Sequence, residues 1–120
     1  MNKRVMIVED NLLARVMLRD ILENEGHTVI AEYAGGDEAV AAYETVKPDL
    51  VFMDIVLQNN NGIEAAKKIL SLDGNAKIII MSVLDDIPLI QASFKIGVID
   101  FIHKPFDAAR VGKAILESNK

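Results

Sequence analysis

The chain contains no cysteine. Neither a disulfide nor a thiolate metal site can form, and such a chain is compatible with a reducing compartment. Nowhere does an apolar run approach the roughly 18 residues that a membrane-spanning helix needs. Lys3-Arg4 precedes a short apolar run, but Glu9-Asp10 cuts that run far too early for a secretory leader. Basic residues are outnumbered: 13 Lys and Arg face 18 Asp and Glu, for a formal net charge of −5. That balance disfavours a nucleic-acid-binding surface and offers no membrane-seeking patch. There is no GxGxxG and no P-loop sequence, so dinucleotides and nucleoside triphosphates lack their usual cradle. No Ser–His–Asp set is apparent, and His27 and His103 read as surface or packing residues. Linkers, repeats and low-complexity stretches are missing too. A single cytoplasmic domain over 1–120 is expected, monomeric, with no nucleic-acid or membrane partner.

What is present is apolar and ordered. Residues of apolar type make up 51% of the 120, which suits a folded chain rather than a disordered one. A chain of this length buries roughly two-thirds of its unfolded surface. Short apolar or β-branched runs over 5–8, 28–34, 50–53, 77–81 and 100–103 read as strands. Several are apolar throughout, as strands buried on both faces must be. Between them the helical period takes over. Asn11 can cap a first helix whose Leu13, Val16, Met17 and Ile21 form an apolar stripe, and Gly26 stops it. A second helix runs over 37–46 and closes before Pro48. Gly62 opens a third, with Ile63, Ala66, Ile69 and Leu70 inward. Asp86 caps a fourth that has Pro88 in its first turn and Gly97 at its end. Asp107 caps the last, with Val111 and Ile115 as its buried stripe.

Alternation of strand and helix demands parallel strands with right-handed crossovers. The fold class is therefore α/β, a five-stranded doubly wound sheet with five helices. Strand order does not follow from the pattern; 2-1-3-4-5 is the order of known flavodoxin-like folds. In such sheets, ligands bind beyond the carboxyl ends of the strands, beside the switch point between the first and third strands.

The apolar runs lead into reactive residues at those ends. Met6-Ile7-Val8 leads to Glu9-Asp10, Leu50-Val51-Phe52-Met53 to Asp54, Ile78-Ile79-Ile80-Met81 to Ser82, and Phe101-Ile102 to Lys104-Pro105. Parallel strands bring these ends to one edge. Two like charges about 4 Å apart repel by roughly 4 kcal/mol at an effective dielectric near 20. Glu9, Asp10 and Asp54 thus need a cation, or one must hold a proton. Carboxylate oxygens without His or Cys suit Mg²⁺, or Mn²⁺ in its place, and a backbone carbonyl just past Asp54 can add a ligand. Asp54 can act as a nucleophile toward phosphorus. Phosphoryl transfer asks for positioning and charge neutralisation, which a cation, the Lys104 ammonium and the Ser82 hydroxyl can provide. Alternatives are an Mg²⁺-dependent phosphohydrolase with an Asp nucleophile and a flavodoxin-like electron carrier. Phosphohydrolases of that kind keep two Asp residues on one strand-end loop, two apart. In a flavin site, Glu9-Asp10 would repel the phosphate.

Val8-Glu9-Asp10-Asn11, Met53-Asp54-Ile55, Asn61-Gly62, Met81-Ser82 and Lys104-Pro105-Phe106, in this order and spacing, resemble the receiver domain of response regulators in two-component signalling. The resemblance covers the whole chain. It implies that Asp54 is the phosphoacceptor, supplied by a histidine kinase. Glu9 and Asp10 then hold Mg²⁺, Asp10 most directly, with the carbonyl of Val56 as a further ligand. Ser82 and Lys104 engage the phosphoryl group, and the Lys104–Pro105 bond is cis. The family's aromatic switch position falls on Phe101, which lacks a hydroxyl. A Met-Pro pair common after the phosphoacceptor is replaced by Leu57-Gln58-Asn59-Asn60. Val56 and Leu84 stand where family members flank the path of attacking water, and both are apolar. The output surface is expected at the fourth helix, last strand and fifth helix, with Phe94, Lys95, Val98, Ile99, Lys113 and segment 87–90 as candidates. A stand-alone switch in chemotaxis that addresses a flagellar motor switch fits the small size and is the leading expectation. A phosphorelay intermediate that passes its phosphoryl group to a phosphotransfer protein, or a receiver piece of a larger regulator, are the other readings.

Overall fold

The β-branched and apolar runs become strands, and the segments of helical period become helices. A computed structural model describes residues 2–57, 61–83 and 85–120. Its strands are β1 (Arg4–Val8), β2 (Thr28–Tyr33), β3 (Leu50–Asp54), β4 (Ile78–Ser82) and β5 (Asp100–His103). Its helices are α1 (Leu12–Asn24), α2 (Gly36–Val46), α3 (Gly62–Leu72), α4 (Ile87–Ile96) and α5 (Ala108–Ser118). All strand pairs are parallel, in the order β2-β1-β3-β4-β5. This is the flavodoxin-like arrangement, with its switch point between β1 and β3.

Alternate residues of each central strand enter opposite cores. Met6, Val8, Val51, Met53, Ile78 and Ile80 face the layer of α2, α3 and α4. Val5, Ile7, Leu50, Phe52, Ile79 and Met81 face Leu18 and Leu22 of α1 and Val111, Ala114 and Ile115 of α5. Both faces are covered, so residues 5–8, 50–53 and 78–81 of the three central strands are apolar throughout. Each such fully buried side chain contributes about 1.5–3 kcal/mol of burial energy.

Cap chemistry fixes the helix starts. The side chains of Asn11, Asp86 and Asp107 each accept a hydrogen bond from the backbone N–H three residues on, as their types predict. Gly62 opens α3 as expected, and Asn61 before it is the cap, accepting from the Glu64 N–H at 2.8 Å. Gly62 has another task. A Cβ there would sit 2.0 Å from the carbonyl oxygen of Asp54, so only glycine lets α3 start against the end of β3. Gly97 ends α4 at a φ of 112°, where a side chain would be strained.

Three expectations need correction. The stripe assigned to α1 is only partly inward: Leu13 is 69% exposed, Val16 43% and Met17 51%, whereas Leu18 and Leu22 are buried and Ile21 half-buried. The helix carries two apolar stripes, and periodicity cannot say which meets the sheet. Val98, offered as an output-surface residue, is buried in the core. β4 lies one residue later than the 77–81 run. Lys77 leaves the strand and donates its ammonium to the Ser118 carbonyl at the end of α5 (2.5 Å). That orphan carbonyl is a better partner for a lysine than the buried sheet.

Candidate functional site

Four sequence-separated residues arrive at the carboxyl edge of the sheet. Glu9 follows β1, Asp54 ends β3, Ser82 ends β4 and Lys104 follows β5. Registration sets their level: Asp54 lies opposite Met81, and Ser82 opposite His103. Turns then fix the side chains. Backbone N–H groups of Ile55 and Lys104 donate to the carbonyls of Met81 (2.9 Å) and Ser82 (2.8 Å), and that of Gly62 to Ile55 (2.6 Å). Val56 pairs with Asn61 in an isolated antiparallel bridge and donates its N–H to Asp54 Oδ1 at 3.1 Å. The Lys104–Pro105 bond is cis.

Carboxylate oxygens of Glu9, Asp10 and Asp54 lie within 4.8 Å of one another. Glu9 is 1% exposed and Asp54 6%, while Asp10 is exposed. The Lys104 ammonium reaches into this group, 2.7 Å from Asp54 Oδ2 and bonded also to Glu9 Oε1. Ser82 is fully buried beside them. Burial pushes the Glu9 carboxyl above the ordinary range, against the pull of the Lys104 hydrogen bond, and the nearby Asp54 adds to the rise. Burial also works to lower the Lys104 pKa. Hydrogen bonds to Asp54 and Glu9 outweigh it, and the ammonium is held above its usual value.

Three carboxylates against one ammonium leave a formal −3 + 1 = −2. The donors are hard oxygens, with an open side at Asp10. The cluster therefore fits a hard divalent cation. A buried carboxylate beside such a cation, with a lysine already on its oxygen, is arranged for anionic phosphorus chemistry.

Phe101 is half-buried on β5 and packs against the α2–α3–α4 core. Of the proposed exit face, Phe94 and Ile99 are exposed, and Ile87 is 65% exposed. Val56 is 53% exposed at the mouth of the site. Leu84 and residues 58–60 lie outside the described residues. The two histidines stand apart from the cluster: His27 Nδ1 accepts from the Lys3 N–H, and His103 pairs with Asp85 at 3.0 Å. Arg15 escaped the sequence reading. It donates to the backbone carbonyl of Glu9 at 2.9 Å. No sequence signal marked it, because the inward face of α1 is not readable from the pattern.

The response regulator receiver domain matches residues 5–116. A chemotaxis protein CheY of Thermotoga maritima is 43% identical over 120 residues, covering 100% of both chains. That of Bacillus subtilis is 41% identical over 96% of each. Among solved structures, a CheX–CheY–BeF3–Mg²⁺ complex from Borrelia burgdorferi superimposes with a TM-score of 0.94 at 31% identity, covering 100% of this chain and 90% of that one. No helix among the described residues is long and apolar enough to cross a membrane. With its sheet order, its acidic cluster and full-length relatives in agreement, the chain belongs to the response regulator receiver domain family.

Proposed function

We propose that this receiver is a phosphorylation-dependent switch of chemotaxis, and that Asp54 accepts a phosphoryl group from the phosphohistidine of a histidine kinase. The observation that carries the reading is Lys104 Nζ at 2.7 Å from Asp54 Oδ2 within the carboxylate cluster. The full-length chemotaxis relatives support the pathway.

In this reading, an oxygen of Asp54 attacks phosphorus in line. The O–P bond forms as the P–N bond of the phosphoimidazole breaks, and the imidazole leaves with the electron pair and takes a proton from solvent. Glu9, Asp10 and Asp54, with the carbonyl of Val56, would hold Mg²⁺ or Mn²⁺, which supplies positive charge to the phosphoryl oxygens. Lys104 transfers its hydrogen bond from Asp54 to a phosphoryl oxygen as a mobile point charge. Ser82 donates its hydroxyl to another. The chain is thus a phosphoacceptor that assists its own modification and slow dephosphorylation, rather than an enzyme with a free substrate.

The phosphoryl group adds about −1.5 to −2 of charge. As Ser82 moves toward it, Phe101 turns into the space left behind, and the α4–β5–α5 face changes. A shift from 1:99 to 99:1 requires about 5.5 kcal/mol of differential stabilisation. The test is capture from the source cell on immobilised chain, with and without beryllofluoride and Mg²⁺. Recovery of a flagellar motor-switch component only with the phosphoryl mimic supports the reading. Recovery of a histidine phosphotransfer protein instead makes the chain a relay. Turnover of a simple phosphate ester makes it a phosphohydrolase.

A further inference from the structure

Among the described residues, the Asp10 carboxylate has no hydrogen-bond or ion-pair partner. It is the exposed member of the cluster, yet it is the ligand on which metal binding is proposed to depend most. No side-chain contact braces it, so the backbone alone fixes where its Cα sits and where its Cα–Cβ bond points. The carbonyl of Glu9 and the N–H and Cα of Asp10 belong to one rigid peptide plane. Holding the Glu9 oxygen holds that plane.

Arg15 holds it. Its Nη1 donates to the Glu9 carbonyl at 2.9 Å, while its Nε lies 3.4 Å from Glu32 Oε1 on β2. Glu32 is also ion-paired with Arg19, one turn further along α1. Side chains of Arg15 and Glu32 are 21% and 18% exposed, so water competes only partly for these contacts. The guanidinium fork thus ties the β1–α1 turn to a neighbouring strand in two directions, as an ammonium cannot. The Glu9 N–H is anchored as well, donating to the Tyr33 carbonyl at 2.9 Å.

We propose that Arg15, buttressed by Glu32, is a positioning residue for the metal site, orienting Asp10 through the Glu9–Asp10 peptide. The proposal rests on the reading of Glu9, Asp10 and Asp54 as metal ligands. Two effects of Arg15 have opposite signs. As a cation near the cluster it should weaken cation binding; as a brace it should strengthen it. Glu32, shared with Arg19, offsets only part of its charge, and the 2.9 Å bond to the Glu9 carbonyl is the contact through which bracing prevails.

The experiment is titration of the full chain with Mn²⁺, followed by electron paramagnetic resonance of the free ion, in wild type, Arg15→Gln, Arg15→Lys and Glu32→Gln, each with a thermal melt. Loss of an outer partner of a metal ligand typically costs about 10–100-fold in affinity. Arg15→Gln is expected to raise the Mn²⁺ Kd by about 10-fold or more. Arg15→Lys keeps the charge but loses the fork, and is expected to recover only part of it. Glu32→Gln, remote from the ligands, is expected to weaken binding by a smaller factor with its fold intact, and it decides the matter should Arg15→Gln fail to fold. Unchanged or tighter binding in the folded variants overturns the proposal. A wild type that takes up no Mn²⁺ overturns the metal reading along with it.

Discussion

Lys104 and Asp54, fifty residues apart in sequence, meet at 2.7 Å at the edge of the sheet. The same ammonium bonds the buried Glu9 carboxylate. One lysine from the end of β5 thus bridges carboxylates delivered by β1 and β3. The contact is a structural bond and, in the proposed switch, a poised catalytic one.

Removing that ammonium leaves two carboxylates without a counter-charge. Breaking a buried pair by deleting one partner costs about 3–5 kcal/mol. Lys104→Met is expected to lose roughly 3 kcal/mol of stability in urea unfolding at neutral pH. Part of the loss should return on addition of Mg²⁺. It should also lessen with acidification, because Glu9 already sits above the ordinary carboxylate range and takes up a proton readily.

Gly62→Ala tests the approach of α3 to β3. The added Cβ would meet the Asp54 carbonyl oxygen at 2.0 Å, which is backbone and cannot swing aside. Overpacking costs about 1–3 kcal/mol, and more where nothing can yield. A loss of at least about 2 kcal/mol in urea unfolding is expected, together with slower phosphorylation as Asp54 shifts.

Phe101→Ala should leave phosphorylation of Asp54 intact and remove its effect on partner binding. The ring packs against the α2–α3–α4 core from β5, the strand of the proposed output face. Affinity for a captured motor-switch partner, measured with and without beryllofluoride, checks this. A normal response would remove Phe101 from the switch.

An apolar Val56 at the mouth of the site gives attacking water no hydrogen-bond partner. The acyl phosphate is therefore expected to hydrolyse slowly. A Val56→Asn, Leu84→Ala variant should shorten its lifetime by roughly tenfold, equivalent to about 1.4 kcal/mol in the barrier. Decay followed by intact mass gives the answer, and an unchanged lifetime would count against it.

Stability should fall in mild acid because of His27. Burial, chiefly, holds its pKa below the ordinary value, and its Nδ1 accepts the Lys3 N–H at 3.0 Å. The unfolded chain therefore binds this proton more readily than the folded one. The stabilising contribution is complete above about pH 6.5 and is lost as pH falls through the lowered folded value. His27→Gln should flatten that part of the stability–pH curve, measured by urea unfolding.

The sheet and its reactive edge were legible because parallel strands need apolar residues on both faces and end together. Asp54 and Ser82 could be placed at strand ends from the runs that precede them. The inward face of α1 could not be read. Leu13, Val16 and Met17 make as good a helical stripe as Leu18 and Leu22, and only contact with β1 and α5 decides between them. Arg15 was hidden for a different reason. Its partners are a backbone carbonyl, which every residue has, and Glu32 on a neighbouring strand, and no spacing announces either. Gly62 was legible as the first residue of α3, and its Asn61 cap could have been found as well, since it precedes the apolar stripe as a cap should.

The most direct test is chemical trapping of the acyl phosphate. The chain is incubated with a small phosphodonor with or without Mg²⁺, reduced with borohydride and mapped by peptide mass spectrometry. Reduction of an aspartyl phosphate leaves homoserine at the modified position. The proposed mechanism predicts homoserine at residue 54, dependent on Mg²⁺ and lost in Asp54→Asn. Phosphorylation elsewhere, or none at Asp54 with both donor and cation present, would contradict it.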